Sequence, residues 1–494
     1  MTKGAPPPPH PLMTLHIMNT FEARFNMANR IALLSSARAE ARGSLFVWVK
    51  LSLLLMLIGA ARAFAADRPN IVFLLTDDMR WDAMACAGNT IVQTPNLDRL
   101  AAEGVRFTNM FCTTSICATS RASFLTGQYA ARHGISDFNR PLTSAAFAHS
   151  ILPMLREAGY YTGFVGKWGL GGELPEEGFD HWAGYSGQGR YFEKDDPTHL
   201  TDKHTAGARQ FIRTRAADKP FLLCVSYKAP HAQDQAKQQF QPAHRFRELY
   251  ESITIPTPAT ATQEAFERLP ECLKPSEGRI RWQRRFATPE MFQASVKDYY
   301  RLITGVDEST GHIIDALSEA GALENTVIIF TSDNGFYLGE HGLAGKWFMH
   351  EESIRLPLIV RDPRGARQSG TTRDAIALNI DIAPTIIQLA GGTPPKGMQG
   401  RSLTPLLAGS APQWRDDFFY EHHYGHHGRI PKTEGVRTTD WKYVRYIETD
   451  PLVEELFDLQ NDPGELNNLA SDEAHQSRLE TMRSRWRSLA EAAG

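Results

Sequence analysis

Asn70-Ile71-Val72-Phe73-Leu74-Leu75-Thr76-Asp77-Asp78 reads as a short strand buried on both faces that ends in two adjacent carboxylates. A second run, Thr326-Val327-Ile328-Ile329-Phe330, repeats the pattern and ends in Thr331-Ser332-Asp333-Asn334-Gly335. Apolar runs at 161–165, 221–227 and 356–360 have the same character, while residues 295–317 and 377–390 carry the apolar spacing of helices. Strands alternating with helices predict an α/β fold: a large, mostly parallel sheet flanked by helices. In such a sheet, polar residues at the carboxyl ends of strands converge on one crevice. Asp77, Asp78, Lys167, His231, Asp333 and Asn334 each follow a candidate strand, so residues far apart in the chain are expected to meet there.

This catalytic region is assigned to residues 67–400. After about Arg401 the pattern shifts to shorter alternating runs at 441–447 and 454–459 and then a polar helix ending near Ala493. Residues 401–494 therefore read as a smaller subdomain, an antiparallel sheet plus helix. Residues 233–285 are polar and rich in glutamine, proline and arginine. They read as an insertion over one face, either a substrate loop or plain solvated surface. Residues 1–66 form an N-terminal tail and export signal: the apolar stretch 51–61 follows Arg38, Arg42 and Lys50 and leads into Ala63-Phe64-Ala65, a small-x-small cleavage pattern. The expected destination is periplasmic or secreted, with no stable membrane anchor after cleavage. A formal charge of −3 over 494 residues gives no basic field, which argues against nucleic acid as a partner. Five cysteines, Cys86, Cys112, Cys117, Cys224 and Cys272, exclude a dense disulfide framework and leave any pairing open.

Asp77-Asp78 and Asp333-Asn334 are oxygen-ligand pairs, each readable alone as a turn or cap, and costly to bury without a counter-charge. A hard divalent cation resolves that cost, and all-oxygen ligation favours Ca2+ or Mg2+ over zinc, with several carboxylates leaning to Ca2+. In Cys117-Ala118-Thr119-Ser120-Arg121-Ala122-Ser123-Phe124-Leu125-Thr126-Gly127, a thiol and a guanidinium stand four residues apart where an extended segment turns into a helix. The helix N-terminus and the planar arginine fork suit a nucleophile beside a sulfate or phosphate. The plainer alternative is a buried cysteine at an ordinary helix start.

The Cys117 stretch closely resembles the signature of type I sulfatases, the formylglycine-dependent, arylsulfatase-like branch of the alkaline-phosphatase-like superfamily. The usual pattern is C-x-P-S-R followed by L-T-G, and Thr119 stands where proline is commonest. Gly166-Lys167-Trp168-Gly169, Ala229-Pro230-His231 and Gly339-Glu340-His341-Gly342 running on to Gly345-Lys346-Trp347 extend the resemblance over most of the mature chain. The resemblance implies that a maturation enzyme oxidises Cys117 to formylglycine (3-oxoalanine), and that Asp77, Asp78, Asp333, Asn334 and the modified residue 117 bind the cation. It further implies that Arg121, Lys167 and Lys346 hold sulfate oxygens, and that His231 serves the leaving alcohol of a sulfated small molecule, aryl ester or glycan. The family commonly has a histidine where this chain has Gly169; that histidine is thought to help expel sulfate, so its absence implies that another base, water or the metal-bound carboxylates assist, a histidine from elsewhere such as His133 or His204 being one candidate. The competing readings are a formylglycine-dependent phosphodiester or phosphonate hydrolase and an inactive carbohydrate-binding homologue.

Glu421-His422-His423-Tyr424-Gly425-His426-His427 leaves three readings open: a second metal site, a polar loop, or a loop reaching over the cleft to a substrate sugar. Asp307 and Asp381 lie in helical patterns and read as structural.

Overall fold

The computed structural model describes residues 68–410 and 413–494, together with Met1 and Gly4, so the export segment lies outside the described residues. The first strand, β1 (Asn70–Asp77), is buried from end to end. Ile71, Phe73 and Leu75 enter the core on one face of the sheet and Val72 and Leu74 the core on the other, which is why the run is apolar without alternation. It is joined in the sheet by β2 (Val105–Phe111), β3 (Tyr161–Lys167), β4 (His181–Tyr185), β5 (Phe221–Pro230) and β6 (Thr326–Ser332). Beyond the hairpin of β7 (Tyr337–Leu338) and β8 (Ala344–Gly345), the chain adds β9 (Arg355–Arg361), β10 (Thr371–Arg373) and β11 (Ala377–Leu378). The strand order is β10-β2-β9-β6-β1-β5-β3-β4, with β11 also on β2.

β1 runs parallel to both β5 and β6, and β3 parallel to β4 and β5, so the carboxyl ends of the central strands share one edge. β9 is the exception, antiparallel to both β2 and β6, and the sheet is therefore mixed. A strand covered on both faces reads the same in either direction, so its apolar run carried no sign of this. β2 was not anticipated either, because Arg106, Thr108 and Asn109 interrupt its apolar positions. The long helix Pro289–Glu319 packs across one face, and its Asp307 accepts from Leu97 N–H and Asn96 Nδ2, both at 2.8 Å.

The helix expected over 377–390 begins only at Ile382. Ala377 and Leu378 are drawn into β11, and Asp381 then accepts from Leu378 N–H at 2.8 Å while pairing with Arg415. Its carboxylate thus ties the strand end to the single 3-10 turn Asn379–Asp381 that leads into the helix.

The C-terminal region is an antiparallel sheet of β12 (Asp417–His422), β13 (Thr433–Thr438), β14 (Trp441–Tyr446) and β15 (Val453–Asp458), followed by the helix Gln476–Ala493. Val436, Tyr443 and Leu456 pack with Leu479 and Met482 of that helix. Phe418, Tyr420, Val444, Tyr446 and Phe457 instead join the core of the large sheet. Among the described residues no helix is long and apolar enough to cross a membrane, and all five cysteines are free.

Candidate active site

Four strand ends and one helix start build the site. Asp77 closes β1, Lys167 closes β3, His231 follows β5, and Asp333 and Asn334 follow β6. Cys117 is the first residue of the helix Cys117–Thr126, whose flanking Ile116 offers no side-chain cap, so the N-terminal N–H groups remain directed at the centre. Asp78 adopts a left-handed backbone, φ 68°, as the chain leaves the sheet. That conformation is held by its N–H on Asp333 Oδ1 at 3.2 Å and by Tyr299 of the long helix, whose hydroxyl donates to Asp78 O at 2.7 Å.

Ligand atoms of Asp77, Asp78, Cys117 and His231 all lie within 4.8 Å of one another, and all four residues are buried. Cys117 Sγ donates to Asp77 Oδ1 at 3.2 Å and accepts from Lys346 Nζ at 2.8 Å. Lys167 is on Asp77 and on Gln188 Oε1, the latter at 2.7 Å, while Lys346 is on Asp78. Arg121 spans Asp333, at 2.9 Å, and Asp77, at 3.4 Å, and donates further to Ser226 and to Lys167 O. His231 Nδ1 faces Ala232 O at 2.5 Å, which leaves Nε2 on the Asp78 side at 3.6 Å.

Burial pushes the Cys117 thiol up to about 12, and the Asp77 carboxylate adds to the effect, so an unmodified thiol here stays protonated. Burial also opposes ionisation of Asp77, yet Lys167, His231, Lys346 and Arg121 outweigh it and hold that carboxyl well below the usual range. Asp333 goes the other way, raised to about 6 by burial and by Asp77 despite the adjacent Arg121. Burial lowers His231 to about 4 against the pull of Asp78 and Asp77.

Two observations test the fit of a cation. Asn334 Nδ2 is used, on Asp78 Oδ1 at 2.5 Å, but its buried Oδ1 has no hydrogen-bond partner. Asp333, one residue before it, lacks enough positive charge to ionise normally. An orphaned carbonyl oxygen beside three clustered carboxylates fits a hard divalent ion.

Residues 69–392 match the family model described as Sulfatase. The chain belongs to the sulfatase family. It is a sulfuric ester hydrolase. Residues 339–492 match the model described as N-sulphoglucosamine sulphohydrolase, C-terminal. The sulfatase is 33% identical over 473 residues to an N-acetylglucosamine-6-O-sulfatase of Bacteroides thetaiotaomicron, covering 81% of this chain and 82% of the relative. It is also similar to a solved structure in complex with its substrate D-glucosamine-2-N,6-O-disulfate, with TM-score 0.75, 29% identity and coverage of 86% of this chain and 98% of that one. The phosphonate monoester hydrolase of Agrobacterium radiobacter aligns with TM-score 0.74 and 26% identity, over 86% of this chain and 96% of its own.

All the residues picked out by sequence thus stand together in the sulfatase, but the candidates for replacing the missing histidine do not join them. His133 is occupied on both nitrogens, by Ser123 Oγ and by Ile135 N–H, each at 3.1 Å. His204 stacks on Tyr185 and has no hydrogen bond on either nitrogen. Gly169 itself has φ 75°, and a Cβ there would lie 2.7 Å from Arg121 Cδ. A histidine at 169 on this backbone would displace Arg121.

The histidine-rich stretch divides. His422 is a fully buried strand residue of β12, His423 pairs with Glu434 at 3.1 Å, and His426 takes the Tyr424 hydroxyl at 3.0 Å. These residues gather no second metal cluster among the described residues. The insertion at 233–285 supplies Asp234, Arg281 and Arg285, which pair with one another at 2.9 and 2.6 Å, and Arg281 lies over Trp347, next to Lys346. Missed from sequence were Ser226, Gln188 and Tyr420. The Tyr420 hydroxyl donates to Trp347 O at 2.7 Å and accepts from Ser115 N at 3.4 Å, so a C-terminal strand braces both the Lys346 loop and the approach to Cys117. Nothing in the local sequence around these three announces such contacts.

Proposed function

We propose that this sulfatase releases sulfate from a sulfated amino sugar or related glycan, using formylglycine formed from Cys117 and one divalent cation, by preference Ca2+. The observation that carries the site assignment is the convergence of Asp77, Asp78, Cys117 and His231 on one buried point with Lys346 Nζ at 2.8 Å from the sulfur. Asp77, Asp78, Asp333 and Asn334 would hold the cation, which when bound supplies positive charge and Lewis acidity that a carboxylate cluster lacks. Oxidation of Cys117 by a maturation enzyme would supply the nucleophilic oxygen; the thiol, kept protonated by burial, is a poor substitute.

The chain's own residues divide the remaining work. Arg121, Lys167 and Lys346 neutralise charge on the sulfate oxygens, as cationic clamps do in phosphoryl transfer. His231, its Nδ1–H fixed on the Ala232 carbonyl, turns Nε2 toward the leaving oxygen and serves as its proton donor only as the imidazolium, the form that Asp78 and Asp77 favour against burial. Arg121 is aligned for this by Asp333 and Ser226, and a fixed fork loses little freedom when the anion arrives. The amino-sugar preference is supported by the two glucosamine-directed relatives and the N-sulphoglucosamine sulphohydrolase C-terminal match. Export to the periplasm or beyond, as residues 51–65 suggest, would place the enzyme where such glycans are met.

Sulfate release from 6-O-sulfated N-acetylglucosamine and from a chromogenic aryl sulfate, and alcohol release from a phosphonate monoester, measured on one preparation, test the reading. The sugar sulfate is expected to give the largest kcat/KM. A phosphonate optimum would move the assignment to the chemistry of the Agrobacterium neighbour. Mass spectrometry of the peptide spanning residue 117 should find an aldehyde in place of the thiol, and a wholly unmodified but fully active protein would remove formylglycine from the scheme.

A further inference from the structure

Lys228 stands near the end of β5, three residues before His231, and is 1% exposed. Its Nζ is buried with no hydrogen-bond partner, and among the described residues no carboxylate pairs with it. The face of Tyr191 lies against it, with its centroid 5.0 Å away. The other cations of the centre differ: Arg121 rests on Asp333 and Asp77, Lys167 on Asp77, and Lys346 on Asp78. A buried ammonium without an acceptor is unfavourable, and folds retain such groups where a ligand completes them.

The ligand's chemistry follows from what surrounds the group. Its place on β5, three residues before His231, and the ring of Tyr191 that also bonds His231 O set the ammonium beside the catalytic centre, where Lys167, Asp77, Asp234 and Asp78 are the charges that act on it. Burial and Lys167 lower its pKa to about 8 against the three carboxylates, so an anion entering here would further favour its charged form. Tyr191, beneath it, donates its hydroxyl to His231 O at 2.6 Å, which ties the position of Lys228 to that of the proposed proton donor.

We infer that Lys228 is a further anion-binding residue of this enzyme, a fourth cation of the sulfate cradle whose ammonium donates to an oxygen of the bound sulfate group. This rests on reading the centre as the sulfate site. Lys167 and Lys346 divide their donors between carboxylates and ligand, whereas Lys228 has every N–H free for the anion.

Isothermal titration of the intact enzyme with sodium sulfate at constant ionic strength tests the inference, alongside thermal melts. Lys228→Met keeps the apolar stem and removes the unpartnered charge. Its sulfate dissociation constant should rise about tenfold or more while the melting temperature stays equal or increases. Lys228→Gln, which keeps a neutral donor, should fall between the two and serves if the methionine variant does not fold. Sulfate affinity within twofold of the parent in the folded variants would overturn the inference while leaving the sulfate site in place. Absence of sulfate binding and of ester hydrolysis in the parent would instead remove the reading of the centre, and the inference with it.

Discussion

Lys442 of the C-terminal sheet and Lys228 beside the catalytic centre are both buried ammonium groups without a well-directed hydrogen bond, but only Lys442 has carboxylates set against it. Lys442 lies 2.9 Å from Glu351 and 2.6 Å from Glu465, with Arg437 also on Glu351 at 3.3 Å. Lys228 has the face of a tyrosine and no carboxylate partner. Asn334 Oδ1 is likewise left without a donor in the centre. The C-terminal network settles its charges within the chain and so holds two parts of the fold together, Glu351 lying before β9 and Lys442 in β14. The catalytic centre leaves a donor and an acceptor open, which is stability surrendered for a cation and an anion to restore.

If that contrast is right, changes in the centre should remove activity with little loss of fold, and changes in the network should do the reverse. The largest effect is expected from Cys117→Ala, which should lower kcat for a chromogenic sulfate ester by about a thousandfold or more. Its melting temperature should stay close to that of the parent, and residual turnover above one part in a hundred would separate Cys117 from the chemistry. Lys442→Met comes next. It strands Glu465 in the interior and leaves Glu351 to Arg437 and Arg355, and chemical denaturation should report a loss of about 3 kcal/mol. The kcat of the folded fraction should change less than about twofold; a stable but inactive variant would dissolve the division between the two regions.

Removal of the cation sharpens the comparison from the other side. Chelation should abolish sulfate release and lower stability by about 2.7 kcal/mol relative to protein with metal at a hundredfold excess over Kd, restored by Ca2+ in preference to Mg2+. A melting curve insensitive to chelator, with activity intact in a metal-verified preparation, would exclude the cation site. The smallest effect concerns Glu455, which accepts from the Tyr446 hydroxyl at 2.6 Å. Burial raises its pKa from 4.5 to about 7, with Glu465 adding to the shift and Tyr446 opposing it. Because the folded state holds the proton more tightly, this contribution is fully present below about pH 4.5 and is lost as pH rises through about 7. Glu455→Gln should flatten that decline, on the order of 2 kcal/mol between pH 5 and 8; an unchanged slope would assign it to another group.

Glu351 moves in the opposite sense. Burial raises it, but Lys442, Arg437 and Arg355 prevail and hold it at about 2, so its contribution persists above the normal carboxylate range and fades only as pH falls toward 2. The two glutamates are both buried and both feel Lys442, but Glu351 also has Arg437 and Arg355 against it, whereas Glu455 has the carboxylate of Glu465.

How much of this was legible beforehand depended on whether a residue's role follows from its neighbours in sequence. Asp77, Asp78, Asp333, Asn334 and Lys167 follow apolar runs, and the run alone places them at carboxyl strand ends. Cys117 and Arg121 sit in a signature whose spacing is local, and the structure puts both in the centre. Ser226 gave no such signal, because a serine within an apolar strand becomes informative only when Arg121 is found against it. His422 misled for the opposite reason: a polar cluster reads as a loop, yet β12 is sealed between Thr113 and β13 and buries that ring entirely.

By itself, then, the sequence determined that apolar strands would carry carboxylates, Lys167 and His231 to one edge of an α/β sheet, because those placements need only periodicity and the geometry of parallel strands, while the resemblance of its motifs to the family's implied that Cys117, Arg121 and Lys346 join them. Only the tertiary structure decided the direction of β9, the bracing of the Lys346 loop by Tyr420, and which buried charges are paired and which are left open. Pairing is a matter of a few ångströms between segments such as Lys228 and Tyr191, or Lys442 and Glu351, that lie tens of residues apart in the chain. Coulomb energy and desolvation vary steeply over that distance, and no local pattern of residues encodes it.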